Sequence, residues 1–168
     1  MSSPDYIKLA QILSPAISLF TAGGIAALSY YSSPILRVIA SESSNTRSLH
    51  QLRSLFSSGS HMFPQAATAS AALSAYLAYA LPSHRIAYSL AAAVTMGIAP
   101  FTTMIMLPST NGPLISMDER AKRDPASVEG KQNTAELLDL LRSFERLNAV
   151  RAVLTATGGL IGIWTILN

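Results

Sequence analysis

Two stretches of this chain, Ile7–Tyr31 and Arg85–Leu107, run on without the charged stripe that a water-facing helix carries along one side. Each exceeds the roughly 20 residues that a helix needs to cross the hydrocarbon core of a bilayer. No other feature narrows the fold as much. In lipid, a backbone must satisfy its own N–H and C=O groups, so only helices and closed barrels can span. The composition agrees: 49% of the residues are hydrophobic and only 12% are charged, about half the charged share of a soluble domain. The expected class is all-α, a membrane four-helix bundle. It would form a single integral membrane domain over residues 1–168, with spans at about 7–31, 60–81, 85–107 and 147–167.

The four spans differ in character. The first contains Pro15, which a membrane helix tolerates when neighbours satisfy the freed carbonyl, and it ends in Tyr30 and Tyr31, an aromatic pair suited to the bilayer interface. Pro34 is expected to close it. In the second, Pro64 suits a first turn, and Ala67, Ala71 and Ala75 recur every four residues with Ser70 and Ser74 beside them. That stripe favours close helix packing over hydrophobicity. The third is interrupted at Pro100-Phe101-Thr102-Thr103 and is expected to end at Pro108 and the turn-forming residues 109–113. The fourth grows without a break from the charged approach Phe144-Glu145-Arg146-Leu147-Asn148-Ala149-Val150-Arg151. On it, Asn148, Arg151, Thr155, Gly158, Gly159 and Gly162 fall along one side. Gly158 and Gly162 form a GxxxG pair, which lets another helix approach closely, within the chain or in a homo-oligomer built through small-residue faces.

Between the spans, short amphipathic helices are expected in loops one and three. In loop one, Leu49, Leu52, Leu55 and Phe56 oppose Arg47, His50 and Arg53 over residues 46–57. In loop three, Thr134 is expected to cap a helix over 135–147 with Leu137, Leu138, Leu141 and Phe144 on its apolar stripe. Residues 117–133 read as a charged flexible loop in which Asp118, Glu119 and Asp124 are solvated. Ten of the twelve Lys and Arg residues, counting Arg151 at the start of the fourth span, lie in or beside loops one and three, leaving Lys8 and Arg85 on the other side. The basic excess places loops one and three in the cytosol and both termini in the lumen, of the endoplasmic reticulum if the chain is fungal.

The chemistry is bounded mostly by exclusion. The chain has no cysteine, which removes disulfides, thiolate metal sites, iron–sulfur clusters and a cysteine nucleophile. Basic residues are interleaved with acids rather than clustered, so nucleic acid is not an expected partner. There is no phosphate loop, nucleophile elbow or dinucleotide fingerprint, and no set of three or four convergent metal ligands. What remains is a polar set on the basic face. His61 opens the second span, Asn111 follows the third, Asn148 and Arg151 open the fourth, and His50 and Arg53 share the loop-one helix. Histidine titrates near neutrality, so His61 and His50 are candidate general bases, though both also suit an interface. Arg151 reads either as a snorkelling anchor or as a cation facing the bundle interior. His84, in a turn on the opposite face, reads as solvated.

Several of these stretches resemble one family. Pro100-Phe101-Thr102, followed by Pro108, Asn111 and Leu114, is similar to the "PFT…P-x-x-N-x-x-L" pattern of the small anthrone oxygenase-like membrane proteins. Residues 144–151 resemble their "W-x-x-L-N-x-V-R" stretch, with Phe144 in place of tryptophan, and Gly59-Ser60-His61-Met62-Phe63-Pro64 resembles the start of their second span. The resemblance implies four membrane helices and, as in the characterised fungal members, oxidation of an anthrone-type polyketide intermediate to an anthraquinone. The expected assignment is then His61 or His50 as base and Arg151 as a stabiliser of developing negative charge. Arg53, Thr102, Asn111, Phe144 and Asn148 would contact the substrate. Dioxygen is the co-substrate, no cofactor or metal is expected, and the partners are a small aromatic polyketide and membrane lipid. The alternative is a non-catalytic membrane scaffold or accessory protein of a biosynthetic pathway, which would not need a histidine at a pocket.

Overall fold

The computed structural model describes residues 4–168, apart from the side chains of Ser58 and Ser60, so residues 1–3 of the expected domain lie outside the described residues. Among the described residues all regular structure is helical: α1 (Asp5–Ala27), α2 (Ser33–Glu42), α3 (Asn45–Ala80), α4 (Arg85–Met96), α5 (Ile98–Phe101), α6 (Gly112–Arg123) and α7 (Lys131–Leu167). A π-helical turn, Leu28–Ser32, joins α1 to α2, and a longer π-helical segment, Thr102–Asn111, joins α5 to α6. Short 3-10 turns occupy Pro82–His84 and Pro125–Val128. The all-α expectation holds. Three helical runs, Asp5–Glu42, Pro82–Arg123 and Lys131–Leu167, are long and apolar enough to cross a membrane. The alanine- and serine-rich α3 is not among them.

The helices run through several points where prolines suggested ends. Pro34 lies in the first turn of α2, within the unbroken helical run Asp5–Glu42 and just after its π-helical turn, so it does not close the segment. Pro64 sits inside α3, and the two helices expected over 46–57 and 60–81 are one helix of 36 residues. A single proline removes one bond, and the helical patterns on both sides carry the helix across it. Pro108 falls within the π-helical segment rather than after its end. The widened turn lets carbonyls freed by the proline find other donors.

Loop three is also more ordered than its charge suggests. α6 covers residues 112–123, and α7 begins at Lys131 rather than after Thr134. The Thr134 hydroxyl donates back to the Gly130 carbonyl at 3.0 Å instead of capping a helix. Gly130, with φ of 102°, takes the left-handed conformation that turns the chain into α7.

The chain divides into two compact units. The first comprises Met1–Ile25, Met62–Pro100 and Val150–Asn168. Its interior is unusually rich in hydroxyls. Ser14 Oγ donates to the Ser70 carbonyl at 3.1 Å and lies 2.7 Å from Ser74 Oγ, while Ser70 Oγ donates back to the Ser14 carbonyl at 2.8 Å. Ser18 Oγ donates to the Thr155 carbonyl at 2.7 Å. A small apolar cluster of Ile7, Ala10, Leu77, Ala78 and Tyr88 accompanies them. Phe20, Tyr79, Ile86, Val153, Leu160 and Trp164 face outward. Small and polar inside with large and apolar outside is the arrangement lipid favours, because helices there associate through close packing and hydrogen bonds. The GxxxG face is covered by the chain itself. A Cβ at Gly158 would meet the Ala91 carbonyl at 3.0 Å, and one at Gly162 would meet Pro15 Cβ at 3.3 Å.

The second unit comprises Ala26–His61 and Phe101–Ala149. Its core is of the ordinary water-excluding kind, with Leu36, Leu49, Leu52, Met106, Leu114, Met117, Leu137, Leu141 and Phe144 in one cluster. Side chains stitch its turns to its helices. Ser29 and Ser33 donate to the Glu145 and Leu141 carbonyls of α7 at 2.9 and 3.0 Å. Asn45 Nδ2 donates to the Val128 carbonyl at 2.7 Å and to Thr134 Oγ1 at 3.0 Å.

Candidate functional site

Seven of the eight candidate residues fall in the second unit, and Arg151 in the first. Thr102 and Asn111 are the first and last residues of the π-helical segment. Helices of this width are rare and occur mostly as single turns at functional sites, which makes a ten-residue run notable. The segment is fastened to α7 by Thr110 Oγ1, 2.9 Å from Ser143 Oγ. The next residue on α7, Phe144, is buried, and its ring centroid lies 5.3 Å from that of Phe56 at a tilt of 47°. Such offset aromatic pairs are worth about 0.5–1.5 kcal/mol beyond their area. Met106 belongs to the same core cluster. One turn further on, Asn148 is completely buried. Asn111 is half-buried, and its Oδ1 is inaccessible to water and accepts no hydrogen bond among the described residues.

Arg53 is committed to a structural pair. Its Nε donates to Asp118 Oδ2 at 2.8 Å and its Nη2 to Oδ1, a bidentate arrangement, while Lys122 Nζ lies 3.2 Å from Oδ2. Asp118 is therefore not the solvated charge expected: it is 8% exposed, because α3 brings Arg53 against α6. Burial pushes the Asp118 carboxyl up, but hydrogen bonds from Arg53 and Lys122, with their charges, outweigh it and hold the group below the usual carboxylate range. The same hydrogen bond raises Arg53 against a smaller desolvation cost. A lysine four residues on from Asp118 was a visible signal of part of this. Nothing local pointed to Arg53.

Glu129 was also missed. Its carboxylate accepts from Ser44 Oγ at 2.6 Å, the Asn45 and Thr46 amides at 3.1 Å each, and Thr46 Oγ1 at 2.8 Å. It thus caps the start of α3 from 83 residues away, supplying the acceptor that the first amides of a helix lack. Burial pushes its carboxyl up, and these four hydrogen bonds more than offset that, drawing the pKa down to about 2.

The histidines are placed differently from the amides. His50 is exposed on α3 beside a recess of about 520 Å³ lined with Ile39, Thr46, Arg47 and Gln51. His61 is exposed on the same helix. In the first unit Arg151 is 9% exposed, and its carbonyl accepts from Thr155 Oγ1 at 2.8 Å. A permanently charged guanidinium buried in an apolar helix is costly, and such residues usually serve a function. No group of three or more His, Asp or Glu suited to a metal occurs among the described residues. The buried donors Asn148 and Arg151 are of the type that stabilises an oxyanion, and the exposed imidazoles are of the type that exchanges a proton with water.

Comparison with known proteins agrees on one family. The family model described as Anthrone oxygenase matches residues 52–161. The anthrone oxygenase encC of Aspergillus fumigatus is 29% identical over 126 residues, covering 68% of this chain and 67% of that protein. No solved structure matches. The family match takes in Arg53, His61, Thr102, Asn111, Phe144, Asn148 and Arg151 and leaves out His50.

Proposed function

The chain belongs to the anthrone oxygenase family, and on that premise we propose that it is a membrane-bound oxygenase converting an anthrone-type polyketide intermediate to an anthraquinone with dioxygen and no cofactor. The observation that carries this reading is the span of the family match, which includes every buried polar candidate together with His61.

The chemistry asks little beyond what these residues provide. The methylene hydrogens of an anthrone are acidic, because the carbanion is delocalised over the flanking rings and the carbonyl as an enolate. His61 acts as general base and removes one of them. The enolate transfers an electron to dioxygen, and the resulting pair combines into a peroxide at the former methylene carbon. Loss of water from the hydroperoxide leaves a carbonyl there. The balance is one CH2 and one O2 consumed, one C=O and one H2O formed. Asn148, Asn111 and Arg151 donate to the enolate and peroxide oxygens in a water-poor setting, where such donors are worth most. Arg53, Thr102 and Phe144 shape the substrate's surroundings, Arg53 through its pairing with Asp118. A flat apolar polycycle partitions into lipid, so a membrane enzyme meets its substrate at raised concentration. Loops one and three would face the cytosol, and both termini the lumen.

Oxygen uptake by the purified, detergent-solubilised protein given emodin anthrone, with and without chelator, tests the reading. Uptake above the uncatalysed rate, insensitive to chelator and matched by quinone formed, is expected. His61→Ala should lower turnover about 10²–10⁴-fold, and His50→Ala should leave it near wild type. Abolition by chelator would defeat the cofactor-free mechanism, and full turnover in His61→Ala would defeat the assignment of the base. The exposure of both histidines favours a non-catalytic scaffold as the second reading; uptake no faster than background would favour it or a different substrate.

A further inference from the structure

Three arginines in the second unit converge without serving the core or the candidate site. Arg37 on α2 reaches α7, where its Nη1 lies 2.5 Å from Glu145 Oε2. Arg142 and Arg146 stand one turn apart on α7, and with Arg37 and Glu145 they line a recess of about 340 Å³. A second recess of about 450 Å³, lined by Asp139, Arg142, Ser143, Arg146 and Leu147, shares the same two arginines. Arg142 Nη1 is 2.8 Å from Asp139 Oδ1, an exposed pair of the kind that contributes little and exchanges readily. Among the described residues Arg146 has no carboxylate within ion-pair reach. Three guanidiniums face one carboxylate in the first recess, so it keeps an excess of positive charge.

Exposed apolar residues on the helical run that carries Arg37 bear on the identity of the ligand. Tyr30 and Tyr31 are each 72% exposed, and Ile35 and Val38 on α2 are more than half exposed. A surface facing only water does not ordinarily present such a run. Arg146 immediately precedes the expected fourth span, and Arg37 follows the end of the first by six residues. Both arginines therefore fall at headgroup depth, given the membrane placement proposed above. Basic pockets at that depth beside membrane helices bind anionic lipid headgroups, and arginine matches phosphate in bidentate fashion.

We infer that Arg37, Arg142 and Arg146 form a binding site for the phosphate headgroup of an anionic phospholipid. Tyr30, Tyr31, Ile35 and Val38, exposed on the same helical run as Arg37, supply apolar surface to the surrounding lipid. Free phosphate presents the same oxygens to the same donors, but it has no use for the exposed apolar surface. Glu145 keeps the Arg37 guanidinium in place.

The test is native mass spectrometry of the full-length protein released from mixed bicelles of phosphatidylcholine and phosphatidylserine, with a thermal-stability titration alongside. Wild-type protein should retain phosphatidylserine in preference to phosphatidylcholine, and added salt should weaken retention. Arg142→Gln/Arg146→Gln should weaken it about 25-fold, about fivefold for each charge removed at the membrane surface. Arg142→Lys/Arg146→Lys keeps the charge and should retain most of the binding. Equal retention of phosphatidylcholine would overturn the proposal, as would unchanged binding in the Gln variant or its loss in both variants alike. Stabilisation by inorganic phosphate equal to that by the lipid would overturn the lipid assignment. None of these readouts depends on oxygenase activity.

Discussion

Replacing Glu129 with Gln removes the charge that caps α3 while keeping the shape and one acceptor oxygen of the side chain. The carboxyl titrates at about 2 in the folded protein, against an ordinary value of 4.5. At full strength that difference of about 2.5 in pH would be worth about 3.4 kcal/mol. Glu129 is exposed, however, so solvent screening brings the expected contribution down to about 1–2 kcal/mol. A folded pKa below the unfolded one contributes stability that is fully present above about pH 4.5. That stability is lost as the pH falls through about 2. The assay is hydrogen–deuterium exchange at the Asn45 and Thr46 amides, both of which donate to this carboxylate. At pH 7 the Glu129→Gln variant should exchange there about 5–30 times faster than wild type. The two proteins should converge as the pH approaches 2. Equal protection at pH 7 would refute the reasoning, and so would a difference that grows on acidification.

Phe144→Ala removes a buried ring from the core of the second unit and from its contact with Phe56; a loss of about 3–5 kcal/mol is expected from the denaturant midpoint in detergent. Gly158→Val should destabilise by about 1–3 kcal/mol in the same measurement, because its Cβ would clash with Thr95 Oγ1 and meet the Ala91 carbonyl at 3.0 Å, and the backbone carbonyl cannot swing away as a side chain can. Arg151→Gln should lower turnover about 10²–10³-fold with little change in apparent substrate affinity, the signature of a donor that acts mainly in the transition state. A rise in KM at unchanged kcat would instead make Arg151 a binding residue.

The membrane-type helices were readable because helix formation in lipid depends on runs of apolar residues and on neighbours three and four apart. α7 is helical across the expected fourth span and long and apolar enough to cross a membrane, with Asn148, Arg151, Thr155 and the GxxxG pair on its buried side. The prolines misled for a physical reason. Each removes one hydrogen bond, but the cost of ending a helix inside a bundle is larger, so Pro34 and Pro64 were accommodated and Pro108 was absorbed in a π-helical widening. Of the candidate side chains, Asn148 and Arg151 announced themselves by standing where a charged approach turns apolar, and Phe144 came from the family resemblance alone. The family match then covered all three.

Partnerships were another matter. Asp118 looked like one charge in a solvated run until α3 supplied Arg53, 65 residues earlier in the chain. Glu129 had no local reason to be more than a loop acid, yet it closes the start of α3 across more than 80 residues. The GxxxG groove could have served another copy of the chain, and in the structure Ala91, Thr95 and Pro15 fill it. By itself the sequence determined an all-helical chain with long apolar spans and a polar set beside them, because periodicity and run length are local properties. Only the tertiary structure decided which charges are held, which glycines are covered and which amides are buried, because those depend on side chains brought together by folding from distant parts of the chain.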